Sequence, residues 1–136
     1  MRIRTDTSTM KFAFAIHESG HAIACRELEI PVTRITLASS RSFCEYDDKF
    51  AKLEDLAAAT LAGVTAEKRI LGRVLPGNED DMALLDSLAL TSVALRSAQR
   101  KASRIVNRCR DDIVKLAKAL DFAEEIQGDN LRKIWL

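Results

Sequence analysis

The sequence predicts an α-rich α+β fold: a long N-terminal helix, a small sheet of two or three strands, and a helical bundle towards the C-terminus. Three observations predict it. Only five glycines and two prolines interrupt 136 residues. Apolar residues recur at helical spacing through most of the chain, and two-residue alternation is confined to one short β-branched stretch.

Residues 1–10 read as a flexible polar arm, and residues 11–136 as a single domain without internal repeats. From Lys11 to about Glu29, Phe12, Ile16, Ile23 and Ala24 follow near-helical spacing, and Pro31 closes the segment. Val32-Thr33-Arg34-Ile35-Thr36-Leu37 reads as a strand, and the stretch from Ser39 to Phe50 is where its partner is expected. Lys52 to Leu71 returns to helix, with Ala57, Ala58, Ala59, Ala62 and Gly63 small enough for another helix to approach closely. Gly72 marks its stop and Pro76-Gly77-Asn78 a turn. Glu79-Asp80-Asp81 opens a further helix, its carboxylates where the helix dipole favours them. The apolar stripe then runs through Leu95, Ala98, Ala102, Ile105, Cys109, Leu116 and Leu120, interrupted only by polarity near Asp112. Gly128-Asp129-Asn130 breaks the pattern before a short tail.

Composition narrows the class. A charged share of 30% beside a hydrophobic share of 47% describes an ordinary globular chain. The formal charge of +1 offers no whole-molecule argument for nucleic acid or an anionic membrane. No run approaches the ~20 apolar residues of a membrane span, and the N-terminus lacks a signal-peptide core. Cys25, Cys44 and Cys109 are odd in number and form no Cys-x-x-Cys pair, which suits a reducing compartment. A cytoplasmic protein is expected.

The chemistry sits in His17-Glu18-Ser19-Gly20-His21. An α-helix turns about 100° per residue, so His17 and His21 project from one face, one turn apart. Two imidazoles so placed reach a single tetrahedral zinc at roughly 2.0–2.1 Å. Glu18 lies one step round the helix, beside the metal, where a carboxylate takes the proton of a zinc-bound water and passes it to the leaving amine. Gly20 and Ala22 keep the helix thin between the metal cleft and the core. These are the only two histidines in the chain, so the third protein ligand must be a carboxylate or a cysteine. Glu67, Glu79, Asp80, Asp81, Asp86 and Cys44 are the candidates, and spacing does not choose among them.

The flanking residues add a resemblance. Ala15-Ile16-His17-Glu18-Ser19-Gly20-His21-Ala22 followed by Pro31-Val32-Thr33-Arg34-Ile35-Thr36-Leu37 resembles the peptidase domain of FtsH-type ATP-dependent zinc proteases, with their His-Glu-Ala-Gly-His-Ala helix and Pro-Val-x-x-Val-Thr-Ile strand. Leu61-Ala62-Gly63-Val64-Thr65-Ala66-Glu67 is similar to that family's Leu-Ala-Gly-Arg-Ala-Ala-Glu helix. Gly77-Asn78-Glu79-Asp80-Asp81-Met82 is similar to its Gly-Ala-Ser-Asn-Asp-Leu segment, and Glu124 to Leu131 to its closing acidic-Gly-acidic-Leu stretch. The resemblance implies that His17, His21 and Asp81 are zinc ligands, that Glu18 is the catalytic base, and that Glu67 orients a ligand histidine through its second nitrogen.

The sequence also departs from that family. It has no Gly-x-x-x-x-Gly-Lys-Ser/Thr phosphate loop, so ATP binding in the family's manner is not expected. Ala38-Ser39-Ser40-Arg41 stands where the family has Pro-Arg-Gly, the region after it is shortened, and the arginine near Val64 is missing. Strand addition of a substrate peptide needs an available sheet edge in that region.

Three further features read as structural. Arg96, Arg100, Arg104 and Arg108 form a basic ridge expected to be a solvated face, with docking of an acidic partner or nucleic acid as the alternative. Cys44 lies after the strand, within possible reach of the site, and Trp135 reads as a packing residue. The functional expectation is a zinc-dependent endopeptidase acting on unfolded or flexible polypeptide, with a separate ATPase or self-association as possible partners, no nucleic acid and no membrane span. The alternatives are a catalytically silent zinc-stabilised binding module and a metal-free helical interaction protein.

Overall fold

The computed structural model describes residues 7–37 and 42–135. The first helix, α1 (Thr7–Glu27), starts inside the stretch expected to be an arm. A first helical turn needs no apolar residue, so a reading based on apolar spacing starts late; residues 1–6 lie outside the described residues. Ala13, Ala15, Ile16, Ala22, Ile23, Ala24 and Cys25 of α1 are all buried, which makes it the central element.

The end of α1 is a Schellman turn. Ile30 N donates to Cys25 O at 2.8 Å and Glu29 N to Arg26 O at 3.2 Å, with Glu29 itself at φ 59°. The buried Ile30 then leads through Pro31 into the sheet.

The sheet has three antiparallel strands in the order β2-β1-β3: β1 is Val32–Leu37, β2 is Ser42–Tyr46 and β3 is Glu125–Gln127. Ile35 is opposite Cys44 on one side and Ile126 on the other, and its complete burial pins the register. A bulge between Val32 and Arg34 bends the β1–β2 ladder. The second strand falls where the sequence places it. The third stayed hidden, because three residues are too few to show alternation. Its following residue, Gly128, passes so close that a Cβ would lie 2.5 Å from Val32 O. Position 128 therefore opens α6 (Gly128–Ile134), where the sequence reading saw only a break.

The expected helix Lys52–Leu71 is α2 (Leu53–Ala66) continued by one π-helical turn, Glu67–Leu71, that ends on Gly72 at φ 74°. A Cβ at Gly20 would meet Ala62 O at 2.7 Å and the Ala66 Cβ at 2.8 Å. The small residues of α1 and α2 thus allow near-contact of the two backbones, as their composition implies.

The stretch expected to be one long helix is three: α3 (Glu79–Ser87), α4 (Ser92–Arg108) and α5 (Arg110–Ala123). Neither break contains glycine or proline. Ala89 turns left-handed at φ 50°, and Thr91 caps α4 by accepting from Ala94 N at 3.1 Å. Cys109 alone separates α4 from α5. Ala98 of α4 is buried in a small cluster with Ala57 and Ala58 of α2 and Leu85 of α3, while Ile105 and Val106 further along α4 join Ile113, Leu116 and Leu120 of α5 in the main core around α1. Trp135 packs on that core with Arg26 above its ring at 5.7 Å. No helix of the described residues is long and apolar enough to cross a membrane.

Candidate metal centre

Three elements deliver side chains to one point. Helix α1 brings His17, Glu18 and His21, the first turn of α3 brings Asp81, and the π-turn brings Glu67. His17 Nε2 lies 2.8 Å from Asp81 Oδ2, His21 Nε2 lies 3.1 Å from the same oxygen, and the two Nε2 atoms are 3.0 Å apart. The rings meet edge to face, with centroids 4.6 Å apart and planes at 83°. Among the described residues, His17, His21 and Asp81 form the group able to hold a metal ion.

The donor set fits a small divalent cation. Each ring has its Nδ1 facing an acceptor: Glu67 Oε2 at 2.7 Å for His17, and the Ala59 carbonyl at 2.8 Å for His21. A proton on each Nδ1 leaves both Nε2 lone pairs aimed at one point beside a carboxylate oxygen, an arrangement that needs a cation or a shared proton. Tetrahedral zinc spaces its ligand atoms at about 3.3–3.4 Å, so these three need to part by only a few tenths of an ångström. The backbone makes room at the same place. A Cβ at Gly63 would lie 2.6 Å from His21 Nε2 and 2.8 Å from His17 Nε2, so α2 meets the rings with bare backbone.

Electrostatics follow from crowding. Burial opposes charging of His17, yet hydrogen bonds to Asp81 and Glu67 and the nearby Glu18 outweigh it and raise its pKa to about 10. His21 is raised as well: burial disfavours its charge, but the Asp81 bond prevails. Asp81 is pushed up by burial and, more strongly, held below the usual carboxylate range by both imidazoles. Glu18 goes the other way. Its burial pushes its pKa up, and His21, His17 and the Ser42 hydroxyl, which donates to Oε2 at 3.0 Å, offset only part of that.

The other candidate ligands are spread around this point. Glu67 is buried and bridges His17 to the backbone, accepting also from Leu75 N at 3.0 Å, so it supports a ring and does not join the Nε2 cluster. Asp80 lines the cleft, and Glu79 and Asp86 are exposed on α3. Cys44 also lines the cleft but is engaged with Cys25, two thiols brought together from distant positions. The hydrogen bond between them, with burial, pushes Cys44 up, and the same bond lowers Cys25.

The cleft encloses about 230 Å³ between α1, β2 and the turn before α3, with Ser42, Tyr46 and Pro76 along its walls. Burial raises the Tyr46 hydroxyl to about 12, so it remains a hydrogen-bond donor at neutral pH. Among the described residues β2 is an outer strand of the sheet, and its Ser42, Phe43, Cys44 and Tyr46 line the cleft. Sequence reasoning missed Ser42, Tyr46 and the Ala59 carbonyl, whose positions depend on tertiary contacts. It named Gly63 only as a small residue.

Ser19, within the motif, is fully buried, and its hydroxyl has no hydrogen-bond partner among the described residues. Ser19→Ala is therefore expected to raise stability by about 1 kcal/mol, since it removes an unpaid desolvation cost. The midpoint of urea unfolding checks this, and a drop of similar size would show that the hydroxyl has a hidden partner.

No family model matches the chain. The sequence is 28% identical over 116 residues to the ATP-dependent zinc metalloprotease FTSH 8, mitochondrial, of Oryza sativa subsp. japonica, covering 76% of this chain and 14% of that protein. It is 27% identical over 116 residues to the ATP-dependent zinc metalloprotease FTSH 3, mitochondrial, of the same organism, with the same coverage. The chain thus spans about one-seventh of the length of these curated relatives. The likeness is distant and suggests an FtsH-like peptidase region.

Proposed function

We propose that this chain is a zinc-dependent metallopeptidase domain that hydrolyses peptide bonds in unfolded or flexible polypeptide. The observation that carries the reading is the convergence of His17 Nε2, His21 Nε2 and Asp81 Oδ2 to within 3.1 Å of one another at the floor of an open cleft. Distant similarity to proteins named as zinc metalloproteases supports it from the sequence side.

His17, His21 and Asp81 hold the ion, with Glu67 and the Ala59 carbonyl fixing the ring orientations. A zinc ion held by these residues would supply a water of lowered pKa, towards ~7, and a Lewis acid for a carbonyl oxygen. Glu18 supplies the base. Ser42 occupies its Oε2, which leaves Oε1 to take a proton from the attacking water and return it to the amine nitrogen that departs. A carboxylate whose pKa is raised by burial accepts a proton more readily than an exposed one, which suits this task. An extended substrate segment lies along the free edge of β2, pairing backbone to backbone. The small cleft admits such a segment and excludes folded protein, so folded substrates require a separate ATPase.

Elemental analysis tests the reading directly. Wild type is expected to carry one zinc per chain and to cleave an unfolded protein, with cleavage lost on chelation and restored by zinc. Asp81→Ala is expected to lose most of the zinc. Protons compete with zinc for the same nitrogen lone pairs, so zinc affinity should rise with pH across the neutral range. Full zinc content in Asp81→Ala, or cleavage indifferent to chelation, would overturn the assignment.

A further inference from the structure

Away from the cleft, a second groove of about 500 Å³ runs between α4 and the π-turn. It is shallow and open, and every residue lining it carries a polar or charged group: Arg96, Arg100 and Arg104 on successive turns of α4, Gln99, Ser103 and Asn107 in a parallel row, and Arg69 from the π-turn opposite. We propose that this groove binds an extended acidic polypeptide segment.

The charge arrangement separates this groove from an ordinary solvated face. Helix α4 carries five basic side chains and no acidic one. Lys101 is paired with Asp55 at 2.8 Å and Arg108 with Glu27 at 3.1 Å. The three arginines between and before them, with Arg69, form no ion pair with any described residue. The chain as a whole carries only +1, so this local excess of positive charge is not a by-product of a basic protein. On the opposite side the Arg110 guanidinium donates to the Arg69 carbonyl at 2.7 Å.

The spacing suits an extended peptide, and the lining chemistry favours it over other anions. Arginines four residues apart on a helix rise by about 6 Å per step. Alternate residues of an extended peptide, which share one face, repeat at about 6.6–6.8 Å. A segment with carboxylates at alternate positions therefore presents one to each arginine, whose planar fork takes a carboxylate through two hydrogen bonds. Single-stranded nucleic acid would want aromatic platforms for its bases, and the lining has none. A membrane surface would want apolar side chains beside the basic ones, and these are absent from it too. The inference stands apart from the metal reading and holds for the chain with or without zinc.

Fluorescence anisotropy with a labelled peptide alternating serine and glutamate tests it on the full chain. The peptide is expected to bind wild type, to weaken steeply with added salt, and to be ignored when glutamine replaces glutamate. Arg96→Gln/Arg100→Gln/Arg104→Gln should weaken binding by about tenfold or more, the sum of three exposed charge pairs. Arg69→Gln should weaken it from the other wall. Lys115→Gln/Lys118→Gln/Lys133→Gln, which removes the same charge from exposed sites elsewhere, should leave it unchanged. Equal loss in both triple variants, absence of binding to wild type, or tighter binding of a single-stranded oligonucleotide of equal charge would each overturn the proposal. Unchanged circular dichroism and thermal midpoints keep a folding defect from passing as a lost site.

Discussion

Replacing Glu18 by glutamine is expected to lower peptide-bond cleavage by about 10²–10⁴-fold while leaving zinc content unchanged. The substitution is close to isosteric. The Ser42 hydroxyl can still donate to the side-chain oxygen, and the ligand atoms of His17, His21 and Asp81 are untouched. What disappears is the ability to take and return a proton. The same change carries a second, independent sign. Glu18 has its pKa raised in the folded chain, chiefly by burial. A carboxylate so shifted binds its proton more tightly folded than unfolded, so its ionisation costs stability as pH climbs from the unfolded value through the folded one. At neutral pH the zinc-free Glu18→Gln chain should therefore unfold at a higher temperature than zinc-free wild type, with the gap closing towards acid pH. Loss of activity beside a gain in stability is the mark of a residue kept for chemistry. Equal cleavage by both chains would remove Glu18 from the mechanism and favour a zinc-stabilised module without turnover.

The parts of this site that were legible in the sequence are those written at short range. His17 and His21 share a face because they are four residues apart on a segment whose helical spacing carries on past Gly20, and β1 announced itself through the alternation of Val32 to Leu37. Asp81 and Glu67 were legible only through resemblance, since 64 and 50 residues separate them from His17 and no periodicity reaches so far. The structure brings both to that ring, one on each nitrogen.

Other features lay beyond the reach of pattern. The turn at Ala89 and the break at Cys109 use residues that are unexceptional in a helix, so local composition does not advertise either one. Strand β3 exists because Ile126 fills the space beside Ile35, a demand that three residues cannot advertise on their own. Ser42 reaches Glu18 because β2 pairs with β1 in one particular register, with Leu37 opposite Ser42. The basic ridge was visible as spacing, but that Arg108 is paired depends on where Glu27 lies, and among the described residues Arg96, Arg100 and Arg104 have no such partner.

Gly63 offers the sharpest separation between local and tertiary causes. It sits inside α2, where helix propensity alone predicts that alanine would stabilise by about 1 kcal/mol. The site predicts the opposite. An added methyl would fall 2.6 Å from both Cε1 and Nε2 of His21 and 2.8 Å from His17 Nε2, inside any permissible contact. Neither ring can retreat freely, since Glu67 and the Ala59 carbonyl hold their far nitrogens. Gly63→Ala should therefore push α2 from α1 or turn the rings off their shared point. Zinc affinity is expected to fall by about 10–100-fold or more, the scale seen when groups that orient ligands are lost. The thermal midpoint should drop too, since overpacking a close helix contact costs roughly 1–3 kcal/mol. Asp81→Ala provides the contrast: it removes a ligand from a partly exposed position and leaves the α1–α2 contact intact, so zinc should be lost with little change in the packing of those helices. Zinc titration and thermal unfolding on the two variants distinguish them. If Gly63→Ala bound zinc normally and melted higher than wild type, propensity would have won, and the bare backbone against the rings would have no part in holding the metal.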